Sequence, residues 1–173
     1  GVRINGVESL MGVALCATVP AVLAEWREML ARHFSSVPTV VVEPGVRTGL
    51  GVLMDNPREV GSDRIVNALA AATLFGGPAI VVDFGTATTF DVVEDDGAYV
   101  GGIIAPGVNT SLEGLHSAAA ALPHIEVSRP LGVVGTNTVA CMQSGIWYGY
   151  IGLVKEICAR IKAERGREMK VIG

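Results

Sequence analysis

Charge is scarce in this chain. Only 17% of its 173 residues are Asp, Glu, Lys or Arg, while half are hydrophobic. Mean hydropathy is +0.47. That balance excludes a disordered chain and leaves ample material for a core. Basic clusters are missing as well. The net charge is −4 and the pI about 5.3, so nucleic acid is not an expected partner. Arg160, Lys162, Arg165, Arg167 and Lys170 alternate with Glu164 and Glu168 and read as one solvated helix face. Long apolar runs are absent. The stretch "GPAIVV" falls far short of the roughly 20 residues that span a bilayer, so no membrane segment is expected. The opening "GVRINGVESL" lacks the charged-then-apolar layout of a signal peptide. Cysteine is rare: Cys16, Cys141 and Cys158 lie far apart without metal spacing. They read as reduced thiols in the core of a cytoplasmic protein. Walker-type loops and Gly-x-Gly-x-x-Gly are missing, which argues against P-loop and Rossmann readings. His33, His116 and His124 stand alone in pattern and receive no catalytic role. Trp26 and Trp147 fall at core-like helix spacing and read as packing.

What is present is a regular alternation of elements. "GVALCATV" is a short apolar run that reads as a buried strand. Pro20 suits the first position of a helix, and Val22, Leu23, Trp26, Met29, Leu30 and Phe34 give that helix one apolar stripe. "PTVVVEPG" is the next strand, so the order suggests a parallel βαβ unit. After a Gly-rich loop, "PREVGSDRIVNALAA" predicts a helix with Ile65, Val66, Leu69 and Ala72 facing inward and "GGP" ending it. "AIVVDFGTATTFDVV" is two strands around a Gly-Thr turn, "EDDG" is a second turn, and "AYVGGIIAPG" a third strand. "NTSLEGLHSAAAAL" predicts a helix capped by Thr110 or Ser111. A long helix follows from "NTVACMQSG" onward with small residues Gly145, Gly149 and Gly152 on one face, and "KVIG" begins a strand.

The first half thus reads βαβα and the second βββα…αβ. Both look like fragments of one repeated unit, βββαβαβα. An apolar strand at the very end would leave its neighbours uncovered. The chain is therefore expected to be an internal piece of a longer one, with residues 1–76 closing a first domain and 77–173 forming most of a second.

Three constellations carry chemistry. In "VVDFGTATTFD", Asp83 ends a strand, Gly85 makes a turn, and Thr86, Thr88 and Thr89 offer hydroxyls. Such a turn can approach phosphate closely, and an Asp beside it can hold a cation; an ordinary polar hairpin is the plain alternative. In "GSDR", the helix dipole favours an ionised Asp63 by roughly 0.3–1 kcal/mol. Arg64 beside it can grip an anionic group with two prongs. The plain alternative is a Ser62 or Asp63 helix cap. In "GGIIAPG" and "GTNTVACMQSG", Gly101, Gly102 and Gly107 permit close backbone approach, and Asn137 and Thr138 open a helix whose N-terminus attracts anions. Strand-end and cap chemistry explains these equally well.

Taken in order, "DNPREVGSDRIVNALAA", "VVDFGTATTFDVV", "GGIIAPGVNTSLEGLHSAAAALPHIE" and "VVGTNTVACMQSGIWYGYIGLV" resemble type III pantothenate kinases across essentially the whole chain. That family belongs to the actin/Hsp70/sugar-kinase superfamily. The resemblance implies an α/β fold of two actin-like (ribonuclease H-like) domains of βββαβαβα type, both incomplete here. It also implies ATP-dependent phosphorylation of pantothenate, the first step of coenzyme A synthesis. Magnesium, a monovalent cation (potassium or ammonium) and a homodimer are implied with it. By motif match, Asp63 takes the general-base position, and Gly61, Ser62, Asp63, Arg64 and Thr138 would contact pantothenate. Asp83 would bind the monovalent cation and Thr86 would contact ATP. The family's Asp-x-Gly-Asn-Thr phosphate motif is not in this sequence, so the chain as given is not expected to turn over ATP. Met54 stands where the family often has a substrate-touching Tyr. Two other readings remain: a non-catalytic relative acting as a regulatory factor, and a nucleotide-driven structural switch. A dimer is expected through the small-residue face near Trp147, Tyr148 and Tyr150, although packing within one chain would explain that face too.

Overall fold

The structure is a computed structural model that describes residues 10–43, 45–119 and 121–173. Strands β1 (Val13–Cys16) and β2 (Thr39–Val42) flank helix α1 (Pro20–His33). They pair in parallel from Val13 opposite Thr39 to Cys16 opposite Val42, as a βαβ unit requires. A short 3-10 turn (Pro57–Glu59) leads into α2 (Ser62–Leu74). Then come β3 (Ala79–Phe84), β4 (Ala87–Val93), β5 (Tyr99–Pro106), α3 (Val108–Ala118), α4 (Thr138–Arg165) and β6 (Lys170–Ile172). The second sheet has the order β5-β4-β3-β6, with β6 parallel to β3 and the other pairs antiparallel.

That sheet is covered on both faces. On one side Ile80, Val82, Phe90 and Val92 pack with Cys158 and Ile161 of α4 and with Met169. On the other side Ala79, Val93 and Tyr99 pack with Val60, Ile65 and Ala68, the last two on α2. Each large apolar side chain buried this way contributes about 1.5–3 kcal/mol. α2 therefore forms one outer layer and the C-terminal half of α4 the other. The N-terminal part of α4 instead meets α3 through Leu112, Ile125 and Met142. Among the described residues no helix is long and apolar enough to cross a membrane.

Several expectations need correction. Of the four residues expected to face inward from α2, Ile65 is buried and Ala72 packs half-buried on the same cluster, but Ser62, Ala68 and Ala71 are buried in place of Val66 and Leu69. Small side chains at positions 68 and 71 let the helix backbone sit close to the sheet, and the larger residues are turned to its flanks. Neither Thr110 nor Ser111 caps α3; the cap is Gly107, with no side-chain bond to the helix. Of the three thiols only Cys158 is buried, while Cys16 and Cys141 are exposed; all three are free. Trp26 is 48% exposed, so it does not pack in the core as its spacing suggested. His116 and His124, lone in sequence, lie with ring centroids 5.0 Å apart. By contrast Asn137 does cap α4, accepting from the Ala140 amide, and Gly166 ends that helix with φ of +63°.

Candidate active site

The site grows from the mouth of α2. Its N-cap is Gly61, and no side chain bonds the first-turn amides. Asp63 and Ser62 are therefore not caps. The first amides of the helix lack intrahelical partners and add to the positive end of its dipole. Gly61 has an ordinary φ of −56°, so its backbone does not need glycine. A Cβ there would fall 2.5 Å from Asp63 Oδ1 and make that carboxylate shift. The missing side chain leaves room for the Asp63 carboxylate to lie back over the turn. Ser62 is buried and accepts a bond from Cys16 Sγ at 3.4 Å, which ties the end of β1 to the start of α2.

Asp83 is exposed near the end of β3, on the face that α2 covers. Asn67 of α2 donates to its Oδ2 at 2.9 Å. Asn67 follows Asp63 by four residues, so the two share one helix face. The helix mouth and the strand end are thereby brought side by side. A groove of about 240 Å³ opens beside Asn67 and Asp83. Its other walls, including Ala70, Phe75 and Ile172, are apolar, and neither Asp63 nor Arg64 borders it.

Thr86 lies in the turn between β3 and β4. Its carbonyl accepts from the Gly107 amide at 2.9 Å and from Thr110 Oγ1 at 2.7 Å. A Cβ on Gly107 would fall 2.2 Å from the Gly85 carbonyl oxygen, so only glycine lets α3 dock on this turn. Tyr150 of α4 extends the joint, donating to the Pro106 carbonyl at 2.6 Å and contacting Ser111 Oγ at 2.7 Å. Thr138 is the exposed first residue of α4. No hydrogen bond among the described residues links it to α2 or to the hairpin turn.

Arg64 is anchored on the sheet. Its Nε donates to Asp91 Oδ1 at 2.7 Å, and its side chain is 12% exposed. Asp91 is fully buried and also receives the Tyr99 hydroxyl at 2.9 Å and the Thr89 hydroxyl at 3.2 Å. Burial pushes the Asp91 carboxyl above its ordinary range, against the pull of Arg64 and the hydrogen bonds. Burial likewise drives the Tyr99 hydroxyl up, helped by the Asp91 charge. Sequence reasoning missed Asn67, Asp91 and Tyr99. The one visible signal was a charged residue inside the apolar run "TTFDVV". Met54 is partly buried against the Tyr99 cluster, on which Leu50 and Val52 also pack. Among the described residues no three His, Cys, Asp or Glu side chains converge as a metal cage.

Fold and site together define a mixed α/β protein with an uncapped helix mouth, a reachable acid on it and a second carboxylate bound to the same helix. Comparison with known sequences is more specific. The chain belongs to the type III pantothenate kinase family, whose model matches residues 2–160. Proteins of that name from Dinoroseobacter shibae and Streptomyces griseus are 61% and 58% identical to it over 160 residues. Each alignment covers 92% of this chain but only 62% and 59% of those proteins. The chain thus spans about three fifths of the length of these curated relatives. A solved structure described as a Baf family transcriptional activator from Campylobacter jejuni shares the fold, with a TM-score of 0.50 at 21% identity. That likeness covers 77% of this chain and 59% of the other.

Proposed function

We propose that the full-length protein phosphorylates pantothenate with ATP, opening coenzyme A synthesis. Family membership supports the reaction class. The observation that carries the residue roles is the Asn67–Asp83 hydrogen bond of 2.9 Å, which holds the helix of Asp63 against the strand end of Asp83. In this reading Asp63 takes the proton of the primary hydroxyl while its oxygen attacks the γ-phosphorus of ATP. The oxygen–phosphorus bond forms, the bond to the β-phosphate oxygen breaks, and ADP leaves. Phosphoryl transfer depends mainly on placement and charge neutralisation, so one well-placed base suffices.

Gly61, Ser62 and Arg64 surround the substrate beside Asp63, and Thr138 contributes from the start of α4. Thr86 contacts ATP from the hairpin turn. One carboxylate oxygen of Asp83 is engaged by Asn67; the other suits a monovalent cation such as potassium or ammonium, which takes oxygen ligands. That cation would offset phosphate charge. Magnesium would enter with the nucleotide, which binds it through its phosphates. The two separate sheets support an actin-like pair of domains, residues 1–76 and 77–173, with α2 of the first lying against the sheet of the second. The glycines at 145, 149 and 152, where a Cβ would meet nothing, and the exposed Tyr148 support a homodimer through α4. The Campylobacter jejuni likeness carries fold alone and lends nothing to a regulatory reading.

The test is direct. Full-length protein with ATP, magnesium and potassium should convert pantothenate to a product heavier by one phosphoryl group, read by mass spectrometry. Omitting potassium should slow it. No product under any cation would overturn the reading.

A further inference from the structure

Arg64 and Asp91 meet across the interface between α2 and the sheet. Asp91 has no exposed surface, and burying a carboxylate is costly unless its oxygens are matched. Here they are: Arg64 Nε and Nη2 each lie 2.7 Å from Oδ1, Tyr99 donates to the same oxygen, and Thr89 donates to Oδ2. An apolar pair of similar volume would join helix and sheet at least as well. The charge therefore asks for a reason beyond packing.

The guanidinium supplies one. Asp91 occupies its side edge, formed by Nε and Nη2. The Tyr99 ring lies against it, 5.7 Å from the central carbon. Gly102 leaves space behind it, since a Cβ there would fall 2.6 Å from Nη2. Nη2 is buried and makes no well-aligned bond despite its approach to Asp91, and Nη1 enters none of the contacts that Arg64 makes among the described residues. Carboxylate, ring and backbone thus fix the group on three sides and leave Nη1 unused. An anion meeting that nitrogen need not freeze a long, rotatable side chain on binding.

We infer that Asp91, held in turn by Tyr99, is a positioning residue that fixes Arg64 so that its unused Nη1 meets the carboxylate of pantothenate. This rests on the kinase reading above and deepens it.

Steady-state kinetics of the full-length protein test it with two substrates: pantothenate, and pantothenyl alcohol, in which a neutral hydroxyl replaces the carboxylate. Asp91→Asn should raise KM for pantothenate about tenfold, the worth of one charge-assisted hydrogen bond. Because that contact exists before and during reaction, kcat should change less, and KM for ATP should hold. KM for pantothenyl alcohol should stay within about twofold, since it has no charge for Arg64 to meet. Tyr99→Phe removes one hydroxyl and keeps the ring, so it serves if Asp91→Asn does not fold. It should move the same ratio in the same direction by about threefold. Equal changes for both substrates, or a lower melting temperature with both KM values intact, would overturn the inference while the kinase reading stands. A wild-type protein that phosphorylates neither substrate would overturn both.

Discussion

Asp83 and Asp91 stand on the same face of one β-hairpin, both turned toward α2. Their circumstances are opposite. Asp91 lies in the middle of β4 with no exposed surface and three side chains bonded to it. Asp83 lies near the open end of β3, exposed, with one amide from Asn67. The same residue type therefore serves two purposes according to depth. At the covered end the charge is consumed inside the protein and holds an arginine still. At the open end most of the carboxylate's hydrogen-bonding capacity is left for something that arrives from solvent. Asp63 belongs with Asp83, because its helix mouth is uncapped and its carboxylate is partly exposed.

That contrast predicts that substitutions divide into losses of activity and losses of stability. Asp63→Asn in the full-length protein should lower kcat by about 10²–10⁴ and leave the melting temperature unchanged. Turnover assays beside a circular dichroism melt check it, and near-normal turnover would remove Asp63 from the reacting group. Arg64→Met should weaken pantothenate binding and also cost about 3–5 kcal/mol of stability, because it strands a buried carboxylate. Its pH dependence follows from the sign of the Asp91 shift. Burial already raises that carboxyl above 3.8, and Arg64 is the strongest opposing influence. Without Arg64 the folded pKa climbs further. A raised folded pKa gives stability that is full below the unfolded value and lost as pH rises through the folded one. The variant should therefore melt highest in acid and lowest at neutral pH, relative to wild type. A constant gap across that range would mean that Asp91 stays charged.

Gly107→Ala should cost about 1–3 kcal/mol by forcing α3 away from the hairpin turn. A denaturant titration reads this, and a neutral result would mean the joint is loose. Asn67→Ala is the mildest change, about 0.5–1 kcal/mol for one exposed hydrogen bond. It sharpens the comparison if more potassium is then needed for half-maximal turnover while stability hardly moves.

Much of this was legible from residue order alone. Alternation and turn residues placed every strand and helix near its observed position, including the parallel βαβ unit and the β3–β4 hairpin. What stayed hidden was non-local. The buried face of α2 turns on Ala68 and Ala71, whose smallness admits the sheet; a hydrophobicity pattern favours the bulkier Val66 and Leu69 instead. The α3 start is set by a hairpin turn some twenty residues earlier, so its local Thr and Ser misdirect. Asp63 and Asp83 could be picked out one by one, but their shared neighbourhood depends on Asn67, which carries no motif of its own. Asp91 drew no reading from the sequence, because its role depends on Arg64, Thr89 and Tyr99 closing around it.

The distribution of sulfur has a practical consequence. Cys16 abuts Ser62 at the helix mouth, Cys141 lies three residues after Thr138, and both are exposed. Cys158 is shielded on the sheet-facing side of α4, and burial keeps its thiol protonated and unreactive. The molecule thus carries two natural reporters and one internal control. Alkylation footprinting with and without pantothenate would follow occupancy at Cys16 and Cys141 separately, with no engineered label, while modification of Cys158 would flag unfolding.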